Sequence, residues 1–406
     1  MIKTGVDAVE IRRFSEMENL EAFVKRVFTR QESAYFAQKR NPYESIAGHY
    51  AAKEAFSKYM GTGMRGFGWK DIEIVHDSLG KPCIRFMGHP APVDLSITHS
   101  KTTAVAVVCG EESAMAGERA QQIKAYQALL PRRRDDMHKG DCGRVFILAG
   151  SRGMTGAAAL CAEAALRCGS GLVTVGTPAS EQPVLAVKLT EAMTLPLPEK
   201  NGMLTPAALR QAVEQTGLSD ACVVGPGLGR APLLWQIAEG LLETGKSVLL
   251  DADGLNALAG HIDILQRGQG EVVLTPHPGE MSRLCGLTVP EIESAREQVA
   301  AEFARRWGVT LLLKGKDTVI ASPRGETHIN PTGNSGMATG GMGDVLSGVI
   351  GSFLGQGLRG YEAAVLGAFL HGLAGDLAAK RLGEFGMIAG DVVKQLPHAV
   401  RKLQNP

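Results

Sequence analysis

Asn334-Ser-Gly-Met-Ala-Thr-Gly-Gly-Met-Gly-Asp344-Val-Leu-Ser-Gly348 puts four glycines, at 336, 340, 341 and 343, directly ahead of an apolar run with helical character. Backbone N–H groups at the start of such a helix form an anion site, and glycines without Cβ atoms let phosphate oxygens approach the chain. Asp344 falls in the first helical turn, beside that anion site, where a carboxylate can take a proton from a substrate hydroxyl. The alternative role for Asp344, a plain helix cap, does not account for so many preceding glycines. The loop is not a P-loop, because G-x-x-x-x-G-K-[ST] is absent.

Upstream of this loop the chain alternates between short apolar runs and Ala/Leu-rich helical patterns. The runs are Val145–Leu148, Leu172–Val175, Ala221–Val224, Val248–Leu250, Val272–Leu274 and Thr310–Leu313. Helices are expected at Ala157–Cys168, Leu233–Glu243 and Ile292–Trp307. Uninterrupted apolar strands suit a parallel sheet covered on both faces, so this part of the chain reads as a doubly wound α/β fold. Several strands end in loops rich in polar groups or glycine. Gly225-Pro-Gly-Leu-Gly229 misses dinucleotide-loop spacing and reads as a turn. In Thr275-Pro-His277-Pro-Gly-Glu280 two prolines lock a loop that presents His277 and Glu280, and Lys314-Gly315-Lys316-Asp317-Thr318 offers lysine to nucleotide phosphates.

Residues 1–112 have a different rhythm. Strands are expected at Ile2–Val6, at Ile72–Val75 with Cys83–Phe86 around the turn 77–82, and at Asp94–Thr98 with Thr103–Val108. A helix is expected over 44–60, and the segregation of strands from helices indicates a small α+β domain. Asp7 follows the first strand; Glu54 and Lys58 share a face of the helix four residues apart. Asp7 and Glu54 are hard oxygen ligands of the kind magnesium prefers when it also binds a diphosphate. Residues 113–138 read as a linker with a helix from Glu118 to Leu130, leaving 139–406 as the second domain.

Composition bounds the possibilities. The 406 residues carry a net charge of +1, 44% hydrophobic and 21% charged residues, which is globular material without a basic surface for nucleic acid. The Arg132-Arg133-Arg134 cluster, followed by two aspartates, reads as a solvated face. The apolar stretches near Val345–Leu354 and Ala363–Ala379 are interrupted and fall short of the roughly 20 residues of a membrane span. Seven scattered cysteines and no recognisable signal peptide suggest buried free thiols and a cytoplasmic protein.

Two family resemblances accompany these motifs. Lys139-Gly140, Gly150-Ser151, Thr155-Gly156-Ala157-Ala158, Glu191-Ala-Met193, Gly225–Gly229, Asp251-Ala-Asp-Gly-Leu-Asn256, His277-Pro-Gly-Glu280, Lys314-Gly315 and Ala338–Asp344 occur in one order. Over about 124–400 this order resembles the ADP- or ATP-dependent NAD(P)H-hydrate dehydratases of ribokinase-like fold. The resemblance implies that ADP or ATP passes a phosphoryl group to the ring hydroxyl of NAD(P)H hydrate, which is then eliminated. It implies Asp344 as the base and Ala157, Gly227 and His277 along the hydrate site. Gly340, Gly341, Met342 and Gly343 would form the anion hole, with Lys314–Thr318 and Gly343 at the nucleotide.

Gly5-Val-Asp7, Phe28-Thr29, Ala51-Ala-Lys53-Glu54-Ala55, Lys58, Gly80-Lys-Pro82 and Leu95-Ser-Ile-Thr-His99-Ser100 resemble holo-acyl-carrier-protein synthase over about 1–110. One departure is Gly48-His49-Tyr50, where that family more often carries arginine and phenylalanine. The second resemblance implies transfer of 4'-phosphopantetheine from coenzyme A to acyl carrier protein. Asp7 and Glu54 would hold Mg2+ and Lys58 would lie near the reaction, in a homo-oligomer with sites between subunits. His99 is a weaker candidate for a coenzyme A contact. A different pairing stays open: a ribokinase-like kinase of a small alcohol, with a first domain that only drives oligomerisation.

Overall fold

Seven parallel strands make up most of a nine-stranded sheet, in the spatial order Thr310–Leu313, Val272–Leu274, Ser247–Leu250, Ala221–Val224, Arg144–Leu148, Leu172–Pro178, Met193–Leu197. An antiparallel hairpin, Val319–Ala321 and Thr327–Ile329, extends one edge. The computed structural model describes residues 2–61, 64, 67–77, 79–229 and 231–405, and only the backbone at 89 and 112–120. Ser78, within the expected turn at 77–82, lies outside the described residues. The chain divides into two units, Met1–Lys124 and Ala125–Pro406.

All six apolar runs expected as strands in the larger unit are strands. The mixed sheet has the ribokinase-like arrangement. Chain order reverses between Arg144–Leu148 and Ala221–Val224: the chain leaves the first strand toward Met193–Leu197, then returns to the other side. Loops at the carboxyl ends of strands flanking such a reversal form the crevice where open α/β sheets take their ligands. Here they are held together by Gly150 N–H donating to the Pro226 carbonyl (2.9 Å) and Ser151 Oγ donating to the Gly227 carbonyl (2.9 Å).

Helix Met342–Gly355 packs against Thr155–Arg167, and its glycines explain how closely. A Cβ at Gly348 would lie 2.1 Å from the Cys161 carbonyl oxygen, so no larger residue fits. Two expectations change. The helix over Ile292–Trp307 is two helices, Val289–Ser294 and Arg296–Trp307, because Ala295 leaves helical geometry at φ −142°, ψ 43°. The apolar stretch near Ala363–Ala379 belongs to a longer helix, Gly360–Leu382, whose 23 residues are apolar enough to cross a membrane; 72% of its most apolar window is buried inside the protein, as a core helix would be.

The smaller unit has a three-stranded antiparallel sheet with Thr103–Glu111 between Ile2–Glu10 and Asp94–His99. A second sheet pairs Ile72–His76 with Pro82–Phe86, which also pairs His89–Pro90. Helix Pro42–Met60 packs on the first sheet at Gly5, where a Cβ would meet the Ala55 carbonyl oxygen at 2.0 Å. The first strand runs to Glu10, so Asp7 lies within it rather than after it, paired with Ala106. Helices Leu20–Val27 and Arg30–Ala37 were not expected from the sequence.

The stretch expected as a linker is mostly helix, Glu112–Leu129, and the chain divides into its two units within that helix. All seven cysteines are free; 142, 161, 168 and 222 are buried, while 83, 109 and 285 are partly exposed.

Candidate active sites

In the larger unit, Gly341 caps helix Met342–Gly355 with φ 91°, a left-handed conformation that favours glycine. The N–H groups of the first helical turn have no intrahelical acceptor, so Met342, Gly343 and Asp344 present donors to the loop side. Asp344 is half-buried. Burial pushes its carboxyl up to about 6, Asp251 and Asp253 add to the rise, and Lys314 opposes it.

Beneath this turn Lys314, expected at the nucleotide phosphates, is paired with Asp251, which the motif reading left without a role. Lys314 Nζ donates to Asp251 Oδ1 at 2.7 Å and lies 3.8 Å from Glu280 Oε2. Ser347 Oγ donates to Asp251 Oδ2 at 2.8 Å. Gly343 sits against the pair: a Cβ there would lie 3.5 Å from Lys314 Nζ and 3.7 Å from Asp251 Oδ2. Burial pulls the Lys314 ammonium down, but Asp251 and Glu280 outweigh it and the net direction is up. Burial pushes His371, whose ring lies at the Met342 carbonyl, down to about 4, so it is neutral at pH 7.

His277 is the N-cap of helix Pro278–Cys285 rather than a loop residue. Its Nδ1 accepts from the Gly279 and Glu280 N–H groups (3.0 and 3.4 Å), and Glu280 accepts from the His277 N–H at 2.9 Å. This capping box fixes the ring and leaves the side chain about half exposed. Ala157 and Gly227 are neighbours, since a Cβ on Gly227 (φ 58°) would lie 2.9 Å from that of Ala157.

The turn 314–318 is closed by Thr318 Oγ1 donating to the Gly315 carbonyl at 2.9 Å, with Lys316 and Asp317 exposed at its tip. Arg296 supports the turn from below, donating to the carbonyls of Leu313 (2.9 Å) and Lys314 (3.1 Å). Gly340 is exposed ahead of the helix. The structure therefore joins Gly343, Lys314, Asp251 and Glu280 in one cluster, and Ala157 with Gly227 beside it at the sheet's reversal.

In the smaller unit Asp7, Glu54 and Lys58 line one cleft of about 580 Å³, together with Glu10, Arg13 and Tyr50. Lys58 Nζ donates to Asp7 Oδ1 at 2.8 Å and to the Val6 carbonyl at 3.0 Å. Glu54 instead accepts from Tyr50 OH at 3.2 Å, so the i,i+4 spacing of Glu54 and Lys58 does not make them partners. The carboxylates of Asp7 and Glu54, with Glu10, Arg13 and Lys58 in the same cleft, suit a divalent cation bound with a diphosphate. Lys53, next to Glu54 in sequence, points the other way. It is fully buried and donates to Glu32 Oε2 at 2.7 Å and to the carbonyls of Val27, Trp69 and Ile72. His49, the departure noted above, is buried too, 3.4 Å from Glu32 and stacked on Tyr35. It lines the interior and not the cleft.

A ribokinase-like sheet, with a glycine-flanked helix start and a half-buried carboxyl in its first turn, defines the class of fold. Residues 145–398 match the family model described as NAD(P)H-hydrate dehydratase, and the chain belongs to that family. Residues 3–111 match the 4'-phosphopantetheinyl transferase superfamily. A bifunctional NAD(P)H-hydrate repair enzyme of Moorella thermoacetica is 49% identical over 277 residues, covering 68% of this chain and 52% of the relative. An ADP-dependent (S)-NAD(P)H-hydrate dehydratase of Neisseria meningitidis is 36% identical over 300 residues, covering 72% and 96%. The crystal structure of an ADP/ATP-dependent NAD(P)H-hydrate dehydratase from Bacillus subtilis, co-crystallised with ATP/Mg2+, aligns with TM-score 0.61 and 32% identity over 69% of this chain and 97% of that one. The chain spans about half the length of the bifunctional relatives it matches.

Proposed function

We propose that this is a bifunctional cytoplasmic enzyme. Its larger unit uses ADP or ATP to return NAD(P)H hydrate to NAD(P)H. The observation that carries the reading is the placement of Asp344, in the first turn of a glycine-flanked helix whose Gly343 lies against the Lys314–Asp251 pair. Its carboxylate accepts the proton of the ring hydroxyl as that oxygen attacks the terminal phosphorus. The P–O bond to the nucleotide breaks, leaving AMP from ADP or ADP from ATP. The first-turn amides, with Gly340 and Gly341 ahead of them, hold the transferring oxygens. The C–O bond to phosphate then breaks with loss of a neighbouring ring proton, giving NAD(P)H and inorganic phosphate. Ala157, Gly227 and His277 line the hydrate side; Lys314 to Thr318 and Gly343 hold the nucleotide, which arrives as its magnesium complex.

The smaller unit transfers 4'-phosphopantetheine from coenzyme A to a serine of acyl carrier protein, acting as a homo-oligomer. Asp7 and Glu54 would hold Mg2+, which neutralises diphosphate charge when bound, and Lys58 steadies the Asp7 carboxylate and faces the reacting phosphate.

Recovery of NADH absorbance from purified NADH hydrate, with ADP, with ATP and with neither, tests the first activity. Recovery should require a nucleotide, release phosphate, and fall by roughly 10² to 10⁴ in Asp344→Asn. Phosphorylation of a small alcohol without recovery of NADH would support the kinase reading instead. Coenzyme A-dependent modification of acyl carrier protein tests the second; full transfer by Asp7→Ala would remove the metal assignment.

A further inference from the structure

The motif Asp251-Ala-Asp-Gly-Leu-Asn256 has no part in the chemistry described above, yet the chain is distorted to place its first carboxylate. Asp251 is 1% exposed and follows strand Ser247–Leu250. Ala252, the next residue, has φ 47°, one of three described non-glycine residues with positive φ. Such a conformation is disfavoured for alanine and persists only where surrounding contacts enforce it. The contacts are visible. A Cβ at Gly225 would lie 1.9 Å from the Asp251 carbonyl oxygen, so the switch-point turn presses directly on this segment. On the far side of Ala252, Asp253 Oδ2 accepts from the Gly229 N–H at 2.8 Å.

The two Asp251 oxygens are divided between two other elements. Oδ1 accepts from Lys314, which opens the turn 314–318, and Oδ2 accepts from Ser347, three residues beyond Asp344 on the same helix. We propose that Asp251 is a positioning residue that couples the nucleotide loop to the base-bearing helix: it aims Lys314 at the nucleotide phosphates and holds the helix turn that carries Asp344. This rests on the dehydratase reading for its functional meaning. The residue touches neither substrate in that reading and acts through Lys314 and Ser347.

The coupling has two consequences. With Lys314 held by a buried carboxylate, the ammonium is fixed in place before a nucleotide arrives, so less conformational freedom is lost on binding. A second negative charge near Asp344 also favours its protonated form. The charged and titratable groups that act on Asp344 or on its Asp251 and Lys314 neighbours are Asp251 and Asp253 from one loop, Lys314 from the next, Glu280 behind Lys314, Cys161 from helix Thr155–Arg167, and His371 at the Met342 carbonyl. Removing the Asp251 charge takes away a repulsion and frees Lys314 to approach Asp344. Both effects move Asp344 in the same direction, toward lower pH.

The experiment compares the full-length wild type with Asp251→Asn, which keeps size, and Ser347→Ala, which removes only the second contact. In Asp251→Asn the affinity for ADP and ATP, read by calorimetry without turnover, should weaken about tenfold. The acidic limb of the kcat profile should move to lower pH, whereas a residue with a merely structural role would lower kcat without moving the limb. Ser347→Ala should bind nucleotide as the wild type does and lower kcat. Unchanged nucleotide affinity together with an unmoved acidic limb in a folded Asp251→Asn would overturn the assignment. If the wild type itself does not act on NADH hydrate, the functional reading fails separately. Calorimetry, and the gap at pH 8 between the melting temperatures of wild type and Asp344→Asn, still decide the coupling: weaker nucleotide binding and a smaller gap on the Asp251→Asn background support it, and no change in either refutes it.

Discussion

Asp344 is held where its own charge is disfavoured. A carboxyl moved from its ordinary value to about 6 carries an ionised form about 3 kcal/mol less favourable than in the unfolded chain. The folded state therefore binds this proton more tightly than the unfolded state does. That contribution to stability is present below the unfolded value near pH 4 and is lost as pH rises through about 6. Asp344→Asn, which cannot ionise, should melt several degrees higher than the wild type at pH 8, with the difference closing toward pH 4, while turnover is lost. Calorimetric melting across that range checks this; equal melting temperatures at pH 8 would mean that the carboxyl is not under strain. Activity should follow the opposite course, falling as pH drops through about 6 because the base form disappears.

Between elements, the smaller unit depends on one buried pair. Lys53 on helix Pro42–Met60 and Glu32 on helix Arg30–Ala37 are both fully buried, and Glu32 also accepts from the Ile74 N–H at 3.2 Å. Burial pushes the Glu32 carboxyl up, but His49 and Lys53 outweigh it and hold it below the ordinary carboxylate range. Its contribution is present at neutral pH and lost in acid. Glu32→Ala leaves the Lys53 ammonium buried without its counterion, which costs about 3–5 kcal/mol. Hydrogen exchange in helix Pro42–Met60 should accelerate accordingly, and unchanged protection would show that the backbone carbonyls alone satisfy Lys53. Raised exchange there would also displace Glu54 and Lys58, which the same helix presents to the cleft.

How much of this could be read in advance depended on whether the signal was local. The six central strands were legible because a strand buried on both faces must be apolar throughout, as in Val272–Leu274. Met193–Leu197 was not, since Pro196 breaks the pattern; an edge strand tolerates proline because one side needs no ladder hydrogen bonds. The glycine-rich loop and Asp344 were legible as contiguous sequence. Asp251, Lys314 and Ser347 lie far apart in the chain, and only the sheet order puts them in contact. The role of Lys53 was hidden for a related reason: its neighbour Glu54 faces the cleft, and one helical residue turns the side chain by about 100°.

At the scale of the whole chain, the boundary between units falls inside helix Glu112–Leu129, and its last turn is part of the second unit's core. Tyr126 is 6% exposed, stacks on Phe369 with ring centroids 3.9 Å apart, and its hydroxyl lies 2.9 Å from His328 Nε2. Gln127 Nε2 donates to the Leu403 carbonyl at 2.7 Å, tying the same turn to the C-terminal helix. Phe369 lies on helix Gly360–Leu382, whose His371 reaches the Met342 carbonyl at the start of the base helix. The anchoring turn is thus two residues along one helix from the wall of the site. A fragment beginning at Ala125 should keep the melting temperature and NADH-hydrate turnover of the full chain. One beginning at Pro131 loses the Tyr126 ring and the Gln127 bond, together about 2–4 kcal/mol. It should melt several degrees lower, with the loss appearing first as faster hydrogen exchange in Gly360–Leu382. Equal stability of the two fragments would show that the helix end rests on the second unit without supporting it.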